Sequence, residues 1–414
     1  AQALPDGVRA DSAAPDSAAR ADSLAALLAR AEAAIELLRR QLGEVAEGSA
    51  RTRSRARLEL YATVLTNAFY TSGRTNVVDV PQIALPPAAT PSRDGVLGAT
   101  VRQSRVGAAA AITDVLGGDL DAVIDVDFFG GAQGGPADRR LFPEPRLRIA
   151  HARLAWARTE LLVGSETPLV SDLDPMSVAA VGIPDFSGAG NLWNWLPQAR
   201  VTRTLGAPAP RPAPPTARAR RPFLQARLRA RWGTPADERD LPGLGAALSR
   251  GGEVAVGAHR GWVDAGNGAL RASRALTAGA RAALGDGVEL RGEAYAFGRL
   301  LRGLGGGAIG QVFGRPPAGS PAGAVGAPLR DAAAWGQLNW RAHPTLLSGA
   351  GCGVNAVAPE ELPARRRNVG CAAHLAWRPV QPLLVGAEWR RLRTRYDGVT
   401  YGAHHLNLAL GVEL

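Results

Sequence analysis

The sequence contains no lysine, so all 48 of its basic side chains are arginines. It has only two cysteines, Cys352 and Cys371, and neither sits in a CxxC or metal-binding pattern. A disulfide-dense small scaffold and a zinc module are therefore excluded. No stretch of about 18 apolar residues occurs, so no transmembrane helix is available. The opening AQALPDG lacks the charged and apolar regions of a signal peptide, and reads as the start of a processed chain. His259, His374 and His405 are scattered without metal spacing, and His404 and His405 are adjacent, so they point to opposite faces. No Ser/His/Asp constellation is present, because VGSET (163–167) lacks the glycine after its serine. Neither an enzyme nor a cofactor is expected.

What is abundant is alanine, glycine, proline and arginine, a genome-like bias that accounts for part of the arginine excess. Against 37 acidic residues the 48 arginines leave a formal charge of +11. Tryptophan (9) outnumbers both phenylalanine (8) and tyrosine (5). Indole suits the boundary between water and an apolar phase.

Residues 1–23 are rich in Ala, Asp, Ser and Pro and read as disordered. Over 24–48, Leu24, Leu28, Ala31, Ile35, Leu38, Leu42 and Val45 form an unbroken heptad seam. The seam predicts a short coiled coil that oligomerises the chain. An amphipathic helix packed on a domain is the alternative.

From residue 55 onward the period changes to two. In RLELYATVLTNAF (57–69), Leu58, Leu60, Ala62 and Val64 share a face, with Glu59, Tyr61 and Thr63 opposite. In RPFLQARLRARW (221–232), Leu224, Ala226, Leu228, Ala230 and Trp232 alternate with Gln225, Arg227, Arg229 and Arg231. In GVELRGEAYAFG (287–298), Glu289, Arg291, Glu293 and Tyr295 oppose Val288, Leu290, Ala294 and Ala296. We count about sixteen such segments of roughly ten residues, the length of a tilted membrane strand. One of them centres on residue 309. Long connections near 71–94, 130–145, 167–197, 233–248, 315–329 and 355–367 alternate with short ones near 113–118, 157–158, 263–268, 342–344 and 378–381. The Pro-rich 206–221 is long where a short turn is due.

This pattern predicts an all-β fold, an antiparallel transmembrane β-barrel of about sixteen strands over 55–414. A soluble sheet protein would bury its apolar face in a core. Alternation over this many strands gives a polar inside and an apolar outside, which suits lipid. Trp156, Trp232, Trp340, Trp377 and Trp389 are expected near strand ends on the apolar parity.

Five blocks occur in order: ATVRQSRVGAAAA (99–111), VIDVDFFGG (123–131), LRIAHARLAW (147–156), LLVGSETPLVSDLDP (161–175) and LPQARVTRTLG (196–206). They resemble the DcaP-like trimeric porins of Gram-negative outer membranes, over about residues 24–206. The short coil before the barrel is a further point of resemblance. The resemblance implies a homotrimer, passive uptake of small and often anionic solutes, and a periplasmic coil. It also implies that the segment 167–197 folds inward as a constriction.

That segment carries Asp172, Asp174 and Asp185. Arg102, Arg227, Arg229 and Arg231, with Arg148 and Arg200, are expected on the facing walls, giving a transverse field across a narrow gap. Guanidinium groups there would pair with carboxylates and phosphates of solutes. The competing readings are a solvated strand face for the arginines and turn chemistry for the aspartates. Asp125 and Asp127 fall on the lumen parity and are expected to pair with neighbouring arginines. ARRRN (364–368) and RRLRTR (390–395) are candidates for the phosphates of lipopolysaccharide, or for a trimer neighbour. Cys352 and Cys371 share the apolar parity of consecutive strands, so a cross-strand disulfide and two separate thiols are both open. The expected partners are outer-membrane lipid, lipopolysaccharide, small anionic solutes and two further copies of the chain. No nucleic acid is expected. The different-class alternative is a structural or surface-anchoring barrel without an open pore.

Overall fold

A computed structural model of the chain describes residues 49–52, 56–88, 95–131, 142–204, 223–233, 248–264, 270–321 and 324–414. The segment 1–23 expected to be disordered, the expected coiled-coil helix 24–48 and the Pro-rich 206–221 lie outside the described residues. Residues 1–59 and 60–414 form two separate compact units. In the first, β1 (Ser49–Thr52) pairs with the opening residues of the next strand, from Ser49↔Glu59 to Thr52↔Ala56.

The second unit is one antiparallel sheet, which takes in that next strand from Leu60 onward. In chain order its strands are β2 (Ala56–Thr71), β3 (Val96–Thr100), β4 (Arg105–Val115), β5 (Gly118–Asp127) and β6 (Arg146–Ala155). There follow β7 (Thr159–Glu166), β8 (Leu196–Arg203), β9 (Leu224–Trp232), β10 (Gly252–Asp264), β11 (Leu270–Gly285) and β12 (Val288–Arg299). The chain ends with β13 (Arg330–His343), β14 (Leu346–Val357), β15 (Arg365–Trp377), β16 (Leu383–Tyr396) and β17 (Thr400–Glu413). Strands β3 and β4 both lie against β2 and form one line, broken at 101–104.

The period-2 alternation of sequence becomes a period-2 alternation of burial. On β17, Ala403, His405, Asn407 and Ala409 are buried while His404, Leu406, Leu408 and Leu410 are exposed. The outward parity carries apolar side chains and the inward parity polar ones, the reverse of a water-soluble sheet. β17 pairs with β2, from His405↔Thr71 to Glu413↔Thr63, and β9 pairs with β10. Strand directions alternate at every described register. Followed from β9 through β17 and β2 to β8, they leave β8 and β9 running the same way. The antiparallel series therefore does not close among the described residues.

Directions also sort the connections into two ends. One end carries 72–95, 128–145, 167–195, 300–329, 358–364 and 397–399, and will be called the loop end. The other carries tight turns at 116–117, 286–287 and 344–345. At the first of these, Leu116 and Gly117 both have positive φ (52° and 74°), as a two-residue hairpin turn with right-handed strand twist requires. Two expectations are corrected here. The strand ends that flank 233–248, Trp232 and Gly252, lie at the turn end, and those that flank 263–268, Asp264 and Leu270, lie at the loop end. The expected strand centred on residue 309 is not a strand. Leu301–Leu304 and Ala308–Gly310 are short 3-10 turns, in which Leu304 and Ile309 are buried. The stretch LRGLGGGAIG is as apolar as a strand, but its glycines allow left-handed backbone at Gly305, Gly307 and Gly310.

Trp156, Trp232, Trp340 and Trp377 all lie at the turn end and are exposed on the outward parity. They form a girdle of the kind that marks a lipid–water boundary. Trp389 is likewise exposed but sits mid-strand on β16, a correction to its expected place near a strand end.

The apolar core is inside the sheet, and the connection 167–195 builds it. Met176, Val178 and Val181 pack with Leu65, Leu347 and Leu384. Leu173, Phe186 and Ala189 pack with Trp335 and Ala372. Ala180 and Ile183 pack with Val80 and Phe129, and Val170 and Leu192 with Tyr295 and Leu301. Four separate clusters on different parts of the wall thus share one connection.

Candidate functional site

The inward connection runs from Thr167 to Trp195, two residues shorter than expected, because Leu196 and Pro197 open β8. Its backbone follows no sheet, so its N–H and C=O groups need other partners. Wall side chains supply them. The Gln103 amide donates to the Ala179 carbonyl at 2.6 Å and accepts from Val181 N–H at 2.6 Å. On the other side, the Gln337 amide donates to the Met176 carbonyl at 2.9 Å and accepts from Met176 N–H at 2.7 Å. Each glutamine imitates one rung of a β-ladder. Glu293 accepts from Asp172 and Leu173 N–H at 3.1 and 3.3 Å and from the Ser171 hydroxyl. Glu388 accepts from the Ser177 hydroxyl. Asn368 and Arg146 donate to the carbonyls of Gly188 (2.9 Å) and Gly182 (2.5 Å).

Wall glycines make room for this. A Cβ on Gly386 of β16 would collide with the Val178 side chain, and one on Gly353 of β14 with the Ala189 carbonyl. A side chain at either position would push the connection off the wall.

The three loop aspartates meet different fates. Asp172 faces the arginines of β9, pairing with Arg227 at 2.6 Å and with Arg229. Asp185 reaches β16 instead, where Arg390 pairs with it at 2.8 Å and with Glu388 at 2.5 Å. Burial raises the Asp185 carboxyl, Arg390 opposes that, and Glu388 raises it further. Asp174 is half-buried, its carbonyl accepts from Arg291 at 2.8 Å, and desolvation lifts its carboxyl to about 6 against the pull of Arg148 and Arg291.

The structure therefore brings Arg227 and Arg229 to a loop carboxylate and leaves the other expected arginines elsewhere. Arg231 pairs with Glu253 of β10 at 2.9 Å. Arg102 sits in the break between β3 and β4, bonded to Asp79 at 2.8 Å and stacked on Phe129 with its guanidinium 4.1 Å from the ring centre. Arg148 bridges Asp125 (3.1 Å) and Asp127 (3.4 Å) and stacks on Trp195 at 4.6 Å. Asp125 and Asp127 also take Arg105 (3.0 Å) and Arg146 (2.5 Å). Arg200 is half-buried on β8. Cys352 and Cys371 face each other in register and are joined by a disulfide, with Cα atoms 4.0 Å apart.

Sequence reasoning overlooked the wall carboxylates Glu253, Glu293 and Glu388 and the glutamines Gln103 and Gln337. The signal for Glu293 was its inward parity in GVELRGEAYAFG; nothing in the sequence marked which loop atoms it would meet. Among the described residues no cluster of metal ligands occurs.

No protein-family profile matches the chain, and no curated protein matches it in sequence. Solved structures do. The outer-membrane channel DcaP of Acinetobacter baumannii superimposes with a TM-score of 0.62 at 16% identity, covering 89% of this chain and 100% of that one. OmpF of Salmonella typhi gives 0.54 at 8% identity, covering 88% and 100%. An anion-selective porin from Comamonas acidovorans gives 0.51 at 12% identity, covering 87% and 100%. Identities this low speak for architecture alone. The chain has the fold of the outer-membrane porins, DcaP among them.

Proposed function

We propose that the chain is a trimeric porin of a Gram-negative outer membrane, a sixteen-stranded barrel that passes small hydrophilic solutes and prefers anions. The N-terminal seam 24–48 would join the trimer from the periplasm. The observation that carries the reading is the inward connection 167–195, inside a sheet whose outer parity is apolar and whose inner parity is charged. A porin needs such a segment to set the width and field of its path.

The preference for anions is supported by three pairs in which the arginine meets water more than its carboxylate, whereas in the Arg227–Asp172 pair the order is reversed, 3% against 16%. Arg231 is 51% exposed and Arg229 25%, while their shared partner Glu253 is 2% exposed. Arg146 is 22% exposed and Asp127 fully buried. At these three pairs a passing solute meets guanidinium groups, with the carboxylates behind them. One of the structural neighbours is itself described as an anion-selective porin.

One observation favours the second reading, a barrel without an open pore. Val170, Val178, Ala179 and Leu192 are at most 1% exposed, so the connection packs against several walls at once. Single-channel recording of the full chain in planar bilayers separates the two. Stepwise conductance is expected, and a barrel that inserts yet stays silent would overturn the porin.

A further inference from the structure

The outward face of β16 changes character along its length. Leu383, Val385, Ala387 and Trp389 are followed on the same parity by Arg391, Arg393 and Arg395, all exposed, toward the loop end. The inward residues between them, Arg390, Leu392 and Thr394, are buried, so the three arginines point away from the lumen. Register adds to the cluster. Arg367 of β15 stands opposite Arg395, and His404 of β17 stands opposite Arg391. Both are exposed on the same outward side, and His404 stacks on Trp389 at 5.8 Å.

These arginines differ from the paired ones that line the inside. Among the described residues, Arg367, Arg391, Arg393 and Arg395 have no carboxylate partner and no hydrogen-bonded acceptor. Acidic groups of the loop end are engaged elsewhere: Asp397 by Arg315 and Arg366, and Glu360 and Glu361 by Arg330. Spacing at about 3.4 Å per residue spreads Arg391 to Arg395 over roughly 14 Å of strand, directly above an apolar band. A cation at that height cannot lie against hydrocarbon, and phosphate is the anion a membrane surface offers there. Arginine forks match phosphate oxygens in pairs.

We infer that Arg367, Arg391, Arg393 and Arg395 form a docking surface for the phosphates of an outer-leaflet glycolipid, with His404 and Trp389 marking its lower edge. The inference rests on the reading of the chain as an outer-membrane barrel with its loop end outward. It does not require an open pore.

The test uses the full chain purified from membranes and reconstituted with diphosphorylated lipid A or with the same lipid dephosphorylated. Lipid retained through gel filtration is quantified by mass spectrometry. The triple variant R391Q/R393Q/R395Q should retain diphosphorylated lipid A at least about tenfold less, given the attraction of each basic group near an anionic surface. The triple lysine variant should stay within about threefold of the parent. Heat-modifiable mobility reports folding, and if the triple glutamine variant fails there, R393Q alone should lose about threefold. Equal retention of the dephosphorylated lipid, or unchanged retention by the glutamine variants, overturns the proposal. So does a loss of trimer that is the same with and without lipid, because the patch would then be a subunit contact. Conductance is recorded on the same samples. A silent barrel with phosphate-dependent retention would sink the porin and leave this surface standing.

Discussion

β9 and β16 are both arginine ladders in sequence, RLRAR and RRLRTR, yet they put their arginines to different uses. On β9 the ladder points inward, and each rung finds a carboxylate: Asp172 for Arg227 and Arg229, Glu253 for Arg231. On β16 only Arg390 points inward, held by Asp185 and Glu388, while Arg391, Arg393 and Arg395 point outward with no carboxylate. A shift of one residue in parity separates a buried structural ion pair from a surface cation. The count of arginines therefore says little about solute preference. What matters is which of them face water inside the sheet with their partners behind them.

The largest expected effect comes from breaking the inward rung of β16. Arg390→Ala leaves Asp185 and Glu388 buried without their cation, which costs about 3–5 kcal/mol. Urea unfolding in detergent should show that loss. Arg393→Gln on the same strand should change unfolding by less than about 0.5 kcal/mol, because it leaves nothing buried and unpaired. Equal losses from the two substitutions would erase the contrast between the faces.

A smaller effect is expected from crowding the seat of the inward connection. Gly386→Leu overpacks Val178 at a cost of about 1–3 kcal/mol. If the connection is a movable constriction, the substitution should raise single-channel conductance and open the 167–195 segment to limited proteolysis. Unchanged conductance with faster proteolysis would mean that the segment does not lie across the path.

Protonation separates the two regions again, because the loop aspartates are half-buried or buried and the outward arginines of β16 are exposed. Asp174 has its carboxyl lifted to about 6 by burial in the docked connection, above the ordinary aspartate value of about 3.9. A carboxyl raised in this way binds its proton more tightly when docked. Docking is thus favoured by acid and weakened as pH rises through about 6. Between pH 7 and pH 5 the docked arrangement should gain about 1.4 kcal/mol, roughly tenfold in the docking equilibrium. Conductance should fall over that interval, and Asp174→Asn should flatten the dependence. A pH response that Asp174→Asn leaves intact would assign the titration to another group.

The smallest effect concerns Arg231, the most exposed member of the β9 ladder. Arg231→Gln should reduce anion preference modestly and leave stability within about 0.5 kcal/mol, since exposed pairs contribute little.

The strands were legible because alternation is a local property, and β9, β12 and β17 show the parity their sequences predict. The stretch at 301–310 departs from the expected strand because its glycines admit left-handed backbone at Gly305, Gly307 and Gly310. The two connections placed at the wrong end were ranked by length, while their ends are fixed by strand direction. At the site, Asp172 against Arg227 was readable as opposite charges on loop and wall. The seat of Asp185 on β16 was not, because it depends on where 29 residues of connection lie in three dimensions. The wall glutamines stayed hidden for the same reason: an amide that completes a loop's backbone bonds looks, in sequence, like any other polar residue on an inward parity.

The reversal potential of the open channel in a potassium chloride gradient tests the central claim most directly. The expected sign reports chloride as the more permeant ion, weakened by Arg229→Gln and Arg231→Gln together. A potential of the opposite sign in the parent protein would contradict it, because the exposed arginines of β9 would then not be what a passing solute meets.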